Sequence, residues 1–115
     1  FHSTLMQPAA DRLKEVLDQI EFHDAKFPVV ANVTAQPETK AGDIRALLVR
    51  QAASPVQWET SMHTMIDAGY DTFVEVGPGR VLTGFTRKID RTKEALNVED
   101  MDSLEKTLAH FKEVR

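Results

Sequence analysis

Cysteine is absent from this 115-residue chain, which excludes disulfides, a thiolate nucleophile and any cysteine-based metal site. Long apolar runs are missing as well: no stretch approaches the roughly 20 residues of a membrane span, and no signal peptide is recognisable. The four histidines form neither an HxxxH nor an HExxH pair, which argues against a metal centre. Together these absences predict a protein of a reducing, cytoplasmic compartment.

The composition is that of a globular protein of one-domain length, with 42% hydrophobic and 28% charged residues. The net charge of −4, from 14 basic and 18 acidic residues, disfavours a general role in nucleic-acid binding. One segment departs from this balance, because residues 80–93 contain a single acid, Asp90, and five cations: Arg80, Arg87, Lys88, Arg91 and Lys93. This segment is a candidate docking surface for an acidic partner, or an ordinary cationic helix end that complements the helix dipole.

Hydrophobic periodicity predicts five helices. They span residues 5–20, 43–51 (with Asp43 as N-cap), 54–68 (starting at Ser54-Pro55 and ending at Gly69), 80–89, and a last helix capped by Asp102 or Ser103. One side of the second helix holds Ile44, Leu47, Leu48 and Gln51. The fourth helix carries the apolar residues Val81, Leu82, Phe85 and Ile89, and the amphipathic last helix carries Leu104, Leu108 and Phe111.

Three β-branched, apolar segments read as short strands at residues 27–33, 72–76 and 96–98. Strands that alternate with helices predict the α/β class with a mainly parallel sheet. Three short strands make a poor sheet by themselves, so we expect them to complete a larger one.

The residues alone leave the chemistry open. His2 is either an ordinary terminal histidine or a general base, and none of the four serines has the flanking glycines of a nucleophile elbow. The turn Gly77-Pro78-Gly79-Arg80 could cradle a phosphate, although a tight strand-to-helix turn is the favoured interpretation. Asp43 and Asp71 are better explained as a helix cap and a turn residue than as the acid of a catalytic triad.

Four collinear motifs resemble one enzyme family. They are Phe1-His2-Ser3 with Leu5-Met6, then Pro28-Val29-Val30 with Asn32-Val33, then Leu48-Val49-Arg50-Gln51 with Ser54-Pro55-Val56-Gln57-Trp58, and Glu75-Val76-Gly77-Pro78-Gly79 with Val81-Leu82-Thr83-Gly84. In order and spacing these are similar to segments of malonyl-CoA:acyl-carrier-protein transacylases. The resemblance implies that residues 1–115 are the C-terminal part of the large, α/β-hydrolase-like subdomain. The nucleophilic serine, the oxyanion donors, the malonyl-binding arginine and a small ferredoxin-like subdomain would lie upstream.

The resemblance also implies roles for two residues. His2 corresponds to the base that takes the serine proton, and Gln51 falls where the family supplies a backbone carbonyl to the other ring nitrogen. The implied substrates are malonyl-CoA and phosphopantetheinylated acyl carrier protein, with no metal and no further cofactor. The implied complete protein is a monomer with acyl carrier protein as its partner, and with neither nucleic acid nor membrane as one.

Two alternatives remain at this point. One is an acyltransferase domain of a polyketide synthase, in which a Phe such as Phe1 accompanies malonyl selectivity. The other is a non-catalytic module that binds carrier protein through Arg87 and Lys88. The first is disfavoured because the tail after Leu104 lacks an aromatic, Pro-rich linker.

Overall fold

A computed structural model describes residues 4–113, and within that range the chain forms five α-helices and four short strands. The elements are α1 (Gln7–Leu17), β1 (Val29–Val30), β2 (Pro37–Glu38), α2 (Ala41–Gln51), α3 (Trp58–Asp67), β3 (Thr72–Val76), α4 (Val81–Ile89), β4 (Glu94–Val98) and α5 (Met101–Glu113). The chain divides into two compact units, Phe1–Thr64 and Met65–Arg115. The boundary between them falls within α3.

In the first unit, helices α1 and α2 pack against each other. Pro8 lies in the first turn of α1, where its missing N–H costs nothing, and a 3-10 turn precedes it. Helix α2 begins at Ala41, so Asp43 is a first-turn residue and its prediction as N-cap is wrong. The cap comes instead from Asp24, whose carboxylate accepts a 2.8 Å hydrogen bond from the Ala41 N–H. That bond and nearby Lys40 lower the pKa of Asp24.

A short antiparallel hairpin joins these helices, with Val29 opposite Glu38 and Val30 opposite Pro37. The expected strand 27–33 is therefore reduced to two residues, and its partner β2 was not predicted. The turn closes with the Ala31 N–H donating to the Gln36 carbonyl. Ala35 adopts a positive φ of 56° there while its side chain is fully buried.

Helix α3 starts three residues later than expected, at Trp58 rather than Pro55. Its end is as predicted. Gly69 has a φ of 99°, and its N–H bonds to the Ile66 carbonyl while the next N–H, of Tyr70, bonds to Met65. This pair of bonds is the Schellman arrangement, which favours glycine because an L side chain is strained at that φ.

The second unit is built on a β-α-β motif. Strands β3 and β4 pair in parallel, from Thr72 opposite Glu94 to Val76 opposite Val98, and α4 forms the crossover. The first of these strands has the predicted bounds, whereas the second begins two residues earlier than expected. The α/β class with parallel pairing is thus confirmed, and the sheet is open on both sides of this pair within the described residues.

The inner faces of α4 and α5 are polar, contrary to expectation. Val81 is 63% exposed and Phe85 45%, whereas Thr83 and Thr86 are 5% and 4% exposed. Leu108 and Phe111 of α5 are also exposed, and the buried residues of that helix are Ser103 and Thr107. Hydroxyls can be buried there because each bonds to a nearby group, such as Thr107 Oγ1 to the Asn97 carbonyl at 3.1 Å. The predicted apolar stripes are real helix faces, but they are not buried by this chain.

Helix α5 begins at Met101 and is capped by Asp100, not by Asp102 or Ser103 as predicted. The Ser103 N–H donates to the Asp100 carboxylate at 2.8 Å, and the Ser103 hydroxyl accepts a bond from the Asp100 N–H. This reciprocal pairing is a capping box. It lowers the pKa of Asp100 through the hydrogen bonds from Ser103.

Candidate functional site

Of the predicted site residues, His2 lies outside the residues that the structure describes. Gln51 lies in the first unit, and Arg87 and Lys88 lie in the second.

Gln51 is the last residue of α2, so its carbonyl has no partner within the helix. That oxygen accepts one bond, of 3.3 Å, from the Ser54 N–H. The preceding Arg50 carbonyl is bound more closely, at 2.6 Å by the Ser54 hydroxyl. A carbonyl oxygen has two lone pairs. The Gln51 carbonyl can therefore accept a second donor, at the helix end where the dipole concentrates negative charge.

A cavity of about 170 Å³ lies beside this helix end. The predicted apolar side of α2 forms one wall, and the hairpin forms the other. The lining residues are Val29, Val30, Ala31, Asn32, Glu38, Ile44, Leu47, Leu48 and Gln51. The expected grouping of Ile44, Leu47, Leu48 and Gln51 on one side of α2 is confirmed by this lining.

Gln57 bonds to the hairpin that forms one wall of this cavity, and its role was not predicted. Its backbone N–H donates to the Asn32 carbonyl at 2.9 Å, and its side-chain Nε2 donates to the Val33 carbonyl at 2.6 Å. Its own carbonyl accepts the first bond of α3, from the Ser61 N–H at 2.9 Å. Ser54-Pro55 is typical of a helix start, but in the structure it belongs to the short connection that leads to Gln57.

The carboxylate of Glu75 lies at the N-terminal end of α4, next to the Gly77-Pro78-Gly79 turn. Glu75 accepts bonds from the Thr83 N–H at 2.9 Å, from the Thr83 hydroxyl at 2.7 Å and from the Leu82 N–H at 3.4 Å. The Thr83 hydroxyl and N–H lower the pKa of this carboxylate. The Leu82 and Thr83 amides are thus already used, and the Gly77 N–H bonds to the Val98 carbonyl at 3.0 Å, which supports the structural interpretation of this turn. Both glycines have positive φ, 138° and 87°.

Of the two cationic residues in the last turn of α4, Arg87 borders an open groove of about 410 Å³, which is also lined by Arg91, Lys93, Glu94 and Ala95. Arg87 is exposed and its Nη2 donates to the Ala95 carbonyl at 3.3 Å, which orients the guanidinium along strand β4. Lys88 is exposed in the last turn of α4. Arg91 and Lys93 were noted as part of the basic segment but not nominated for docking, and the structure places them with Arg87.

Asp71 accepts a 3.0 Å bond from the Thr72 hydroxyl and stays a local turn residue, as expected. Among residues 4–113, no group of three or more histidine, aspartate and glutamate side chains could hold a metal ion. None of the helices within that same range is long and apolar enough to cross a membrane.

Comparison with known proteins gives a consistent result. No protein-family model matches the chain. The malonyl CoA-acyl carrier protein transacylase of Bacillus subtilis (strain 168) is 43% identical over 113 residues, which are 98% of this chain and 36% of that protein. The crystal structure of a malonyl CoA-acyl carrier protein transacylase from Clostridium perfringens ATCC 13124 superposes with a TM-score of 0.91 at 39% identity, covering 99% of this chain and 36% of that one.

A third protein, a malonyl-transacylase solved in complex with its type II PKS acyl-carrier protein, is 45% identical. Its TM-score is 0.87, and the match covers 95% of this chain and 35% of that chain. The fold and these matches first define the architectural class, α/β. Within that class, the chain is similar along almost its whole length to one part of malonyl CoA-acyl carrier protein transacylases. It spans about a third of the length of the relatives that it matches.

Proposed function

We propose that the complete protein transfers malonyl from coenzyme A to the phosphopantetheine thiol of acyl carrier protein, in fatty acid biosynthesis. The observation that carries this proposal is the match to named transacylases along 98% of this chain at 43% identity. The relative solved with its acyl-carrier protein supports the choice of partner. The protein is proposed to be cytoplasmic and monomeric.

In the proposed mechanism, His2 takes the proton from a serine hydroxyl while the serine oxygen attacks the malonyl thioester. The tetrahedral intermediate collapses, the coenzyme A thiolate leaves, and His2 returns the proton to its sulfur. The second half-reaction runs in the opposite sense: the phosphopantetheine thiol gives its proton to His2 and attacks the malonyl-serine ester. The serine regains its hydroxyl. No metal or other cofactor takes part.

Gln51 is proposed to orient His2 through its backbone carbonyl, which accepts a bond from the ring nitrogen that does not face the serine. This acceptor fixes the tautomer as the aspartate of a triad does, but without a full negative charge. The position of the carbonyl at the C-terminus of α2 partly compensates, because helix-end carbonyls stabilise a nearby cation by about 0.3–1 kcal/mol. A thioester is an activated acyl donor, so this weaker relay is sufficient.

The chain is proposed to be the C-terminal part of the large acyltransferase subdomain. The serine, the oxyanion donors and the malonyl-binding arginine then belong to the part of the relatives' length that this chain does not span. The mostly apolar cavity beside Gln51 supports this assignment, because an active site completed by another segment leaves such a wall uncovered.

Carrier-protein docking is proposed for Arg87 and Lys88. Both side chains are exposed, and Arg91 and Lys93 extend the same positive surface along the groove. An acidic carrier protein would be steered to such a surface by long-range attraction. Arg87, Arg91 and Lys93 are spread over seven sequence positions but line the same groove, and this clustering supports the proposed docking surface.

The complete protein, incubated with malonyl-CoA and phosphopantetheinylated carrier protein, is expected to produce malonyl-carrier protein, detected by intact mass. His2→Ala should lower the rate about 10²–10⁴-fold, the usual contribution of a positioned general base. His23→Ala, at an exposed position, is the matched control and should leave the rate unchanged. A complete protein that binds carrier protein without forming the malonyl thioester would establish the non-catalytic alternative instead.

A further inference from the structure

We infer that Gln57 is a positioning residue that sets the location of the Gln51 carbonyl. The inference rests on the proposed function, in which that carbonyl orients the catalytic histidine. It begins from the three hydrogen bonds of Gln57, which use its N–H, its carbonyl and its side-chain amide at once. All three partners lie in the first compact unit.

The segment between Gln51 and Gln57 is short. It contains five residues, 52–56, and it is held at both ends. At its start, the Ser54 N–H bonds to the Gln51 carbonyl and the Ser54 hydroxyl bonds to the Arg50 carbonyl. At its end, Gln57 is fixed to the hairpin. A connection this short, fixed at both ends, transmits a displacement of Gln57 to the end of α2.

The second step concerns the two walls of the cavity. The hairpin residues Val29–Asn32 form one wall, and α2 forms the other. Gln57 bonds directly to Asn32 and to the next residue, Val33. The distance between the walls is therefore set by the bonds of Gln57 to one wall and by the short connection to the other. Gln51 lines the cavity where this spacing matters.

The third step concerns the chemistry of the side chain. The 2.6 Å bond from Nε2 to the Val33 carbonyl requires a donor of this length in a partly buried place. Methionine has nearly the same length and shape but no donor, so the Val33 carbonyl would lose its partner. Glutamate places an oxygen against the carbonyl oxygen and repels it. Gln57→Met should therefore disturb the contact with the Val33 carbonyl, and Gln57→Glu should disturb it more.

The test uses the complete protein and the rate of serine acylation by malonyl-CoA. Gln57→Met should lower the maximal rate about 10-fold and Gln57→Glu about 100-fold, since a misplacement near 1 Å can cost about 10²-fold. The KM for malonyl-CoA should change less than about twofold, because no substrate contact is removed. Gln36→Met and Gln36→Glu are the matched controls. Gln36 is an exposed residue of the same hairpin, and these variants should behave as wild type.

A second readout does not depend on activity. Deuterium uptake by the backbone amides of residues 52–54 and of Val56 should rise in Gln57→Met and not in Gln36→Met. If the wild-type protein does not transfer malonyl, the proposed function is refuted. Faster uptake in Gln57→Met would in that case still establish the structural link from Gln57 to the end of α2. Normal transfer and unchanged uptake in Gln57→Met would overturn the inference. A loss of rate that disappears on cooling, in step with a lower Tm, would also overturn it, because it would show a role in stability alone. If the Glu variant does not fold, the Met variant decides.

Discussion

At the scale of single residues, backbone and side chain contribute differently at Gln51. The proposed contact with the histidine is made by the carbonyl, which every amino acid has. Gln51→Ala in the complete protein should therefore lower the transfer rate less than about 10-fold. One residue inserted between Gln51 and Ser54 should be far more damaging, about 10²-fold, because it moves the carbonyl and the helix end.

Steady-state rates with malonyl-CoA and carrier protein check this pair of variants. An equal insertion in the exposed stretch between α1 and the hairpin, between Lys26 and Phe27, serves as the control for inserting a residue as such. A large loss in Gln51→Ala together with a harmless insertion before Ser54 would show that the orienting group is the side chain or another residue.

The carboxylate of Glu75 contributes to the stability of the fold, and the direction in which this contribution changes with pH follows from its lowered pKa. The bonds from Thr83 hold the pKa of this carboxylate below its ordinary value of 4.5. The ionised form therefore stabilises the folded state, fully at pH values above 4.5, and this stabilisation is lost as the pH falls through the lowered folded-state value. Glu75→Gln should lower the free energy of unfolding at pH 7, and its deficit should shrink below pH 4.5.

Urea unfolding of the complete protein at several pH values measures this deficit. Glu105→Gln, on the exposed side of α5, removes the same charge without a helix-capping bond and should show little deficit at either pH. A Glu75→Gln deficit that is constant from pH 7 to pH 3 would contradict the assignment of the carboxylate as an ionised cap.

At the scale of elements, the cationic end of α4 is proposed to dock carrier protein, and Arg87 also stabilises the fold through its bond to Ala95. Measurement can separate these two roles. If Arg87 and Lys88 dock carrier protein, their double change to Glu should weaken the carrier-protein half-reaction at least about 10-fold more than loading from malonyl-CoA. The difference should shrink as salt rises, because exposed charges are screened over roughly 8 Å at physiological ionic strength.

A double change of Lys14 and Arg12 to Glu, on exposed positions of α1, is the charge-matched control. It should leave the two half-reactions in their wild-type ratio. Equal losses in both half-reactions for the α4 variant would point to stability, since Arg87 also donates to the Ala95 carbonyl.

The elements also show what sequence reasoning could reach. Strand β3 and the end of α3 at Gly69 were predicted correctly, because a β-branched segment and a terminal glycine are local signals. The starts of α2 and α3 were wrong because their partners are distant in sequence. Asp24 caps α2 from 17 positions away, and Gln57 bonds to a hairpin 24 positions away. Gln51 was found through resemblance, whereas Gln57 became visible only through its bonds.

At the scale of the whole molecule, several large apolar side chains are exposed although they form regular helix and strand faces. In the second unit they include Val76, Val81, Phe85, Met101 and Leu108. The relatives are nearly three times as long as this chain, which spans 36% of the Bacillus subtilis protein. We expect the rest of the complete protein to cover these faces, because a helix or strand face that exposes several large apolar side chains is typical of an interface.

Residues 1–115 expressed alone should therefore bind a hydrophobic dye strongly, should self-associate, and should not transfer malonyl. The complete protein should do the reverse. Dye fluorescence, sedimentation and the malonyl-transfer assay on both proteins check the three expectations. Malonyl transfer above the buffer rate by residues 1–115 would show that the nucleophile has been misplaced in the proposed mechanism.

The buried Ala35 has a consequence for which sequences can occupy this turn. Its positive φ penalises any residue with a Cβ by about 1–2 kcal/mol relative to glycine. Its fully buried methyl group leaves a void costing about 1 kcal/mol when removed, and any larger side chain must displace its neighbours. The backbone thus favours glycine over residues with a Cβ, and the packing favours alanine over both smaller and larger side chains. Divergent sequences of this fold should drift between these two residues at position 35 and almost never reach a third.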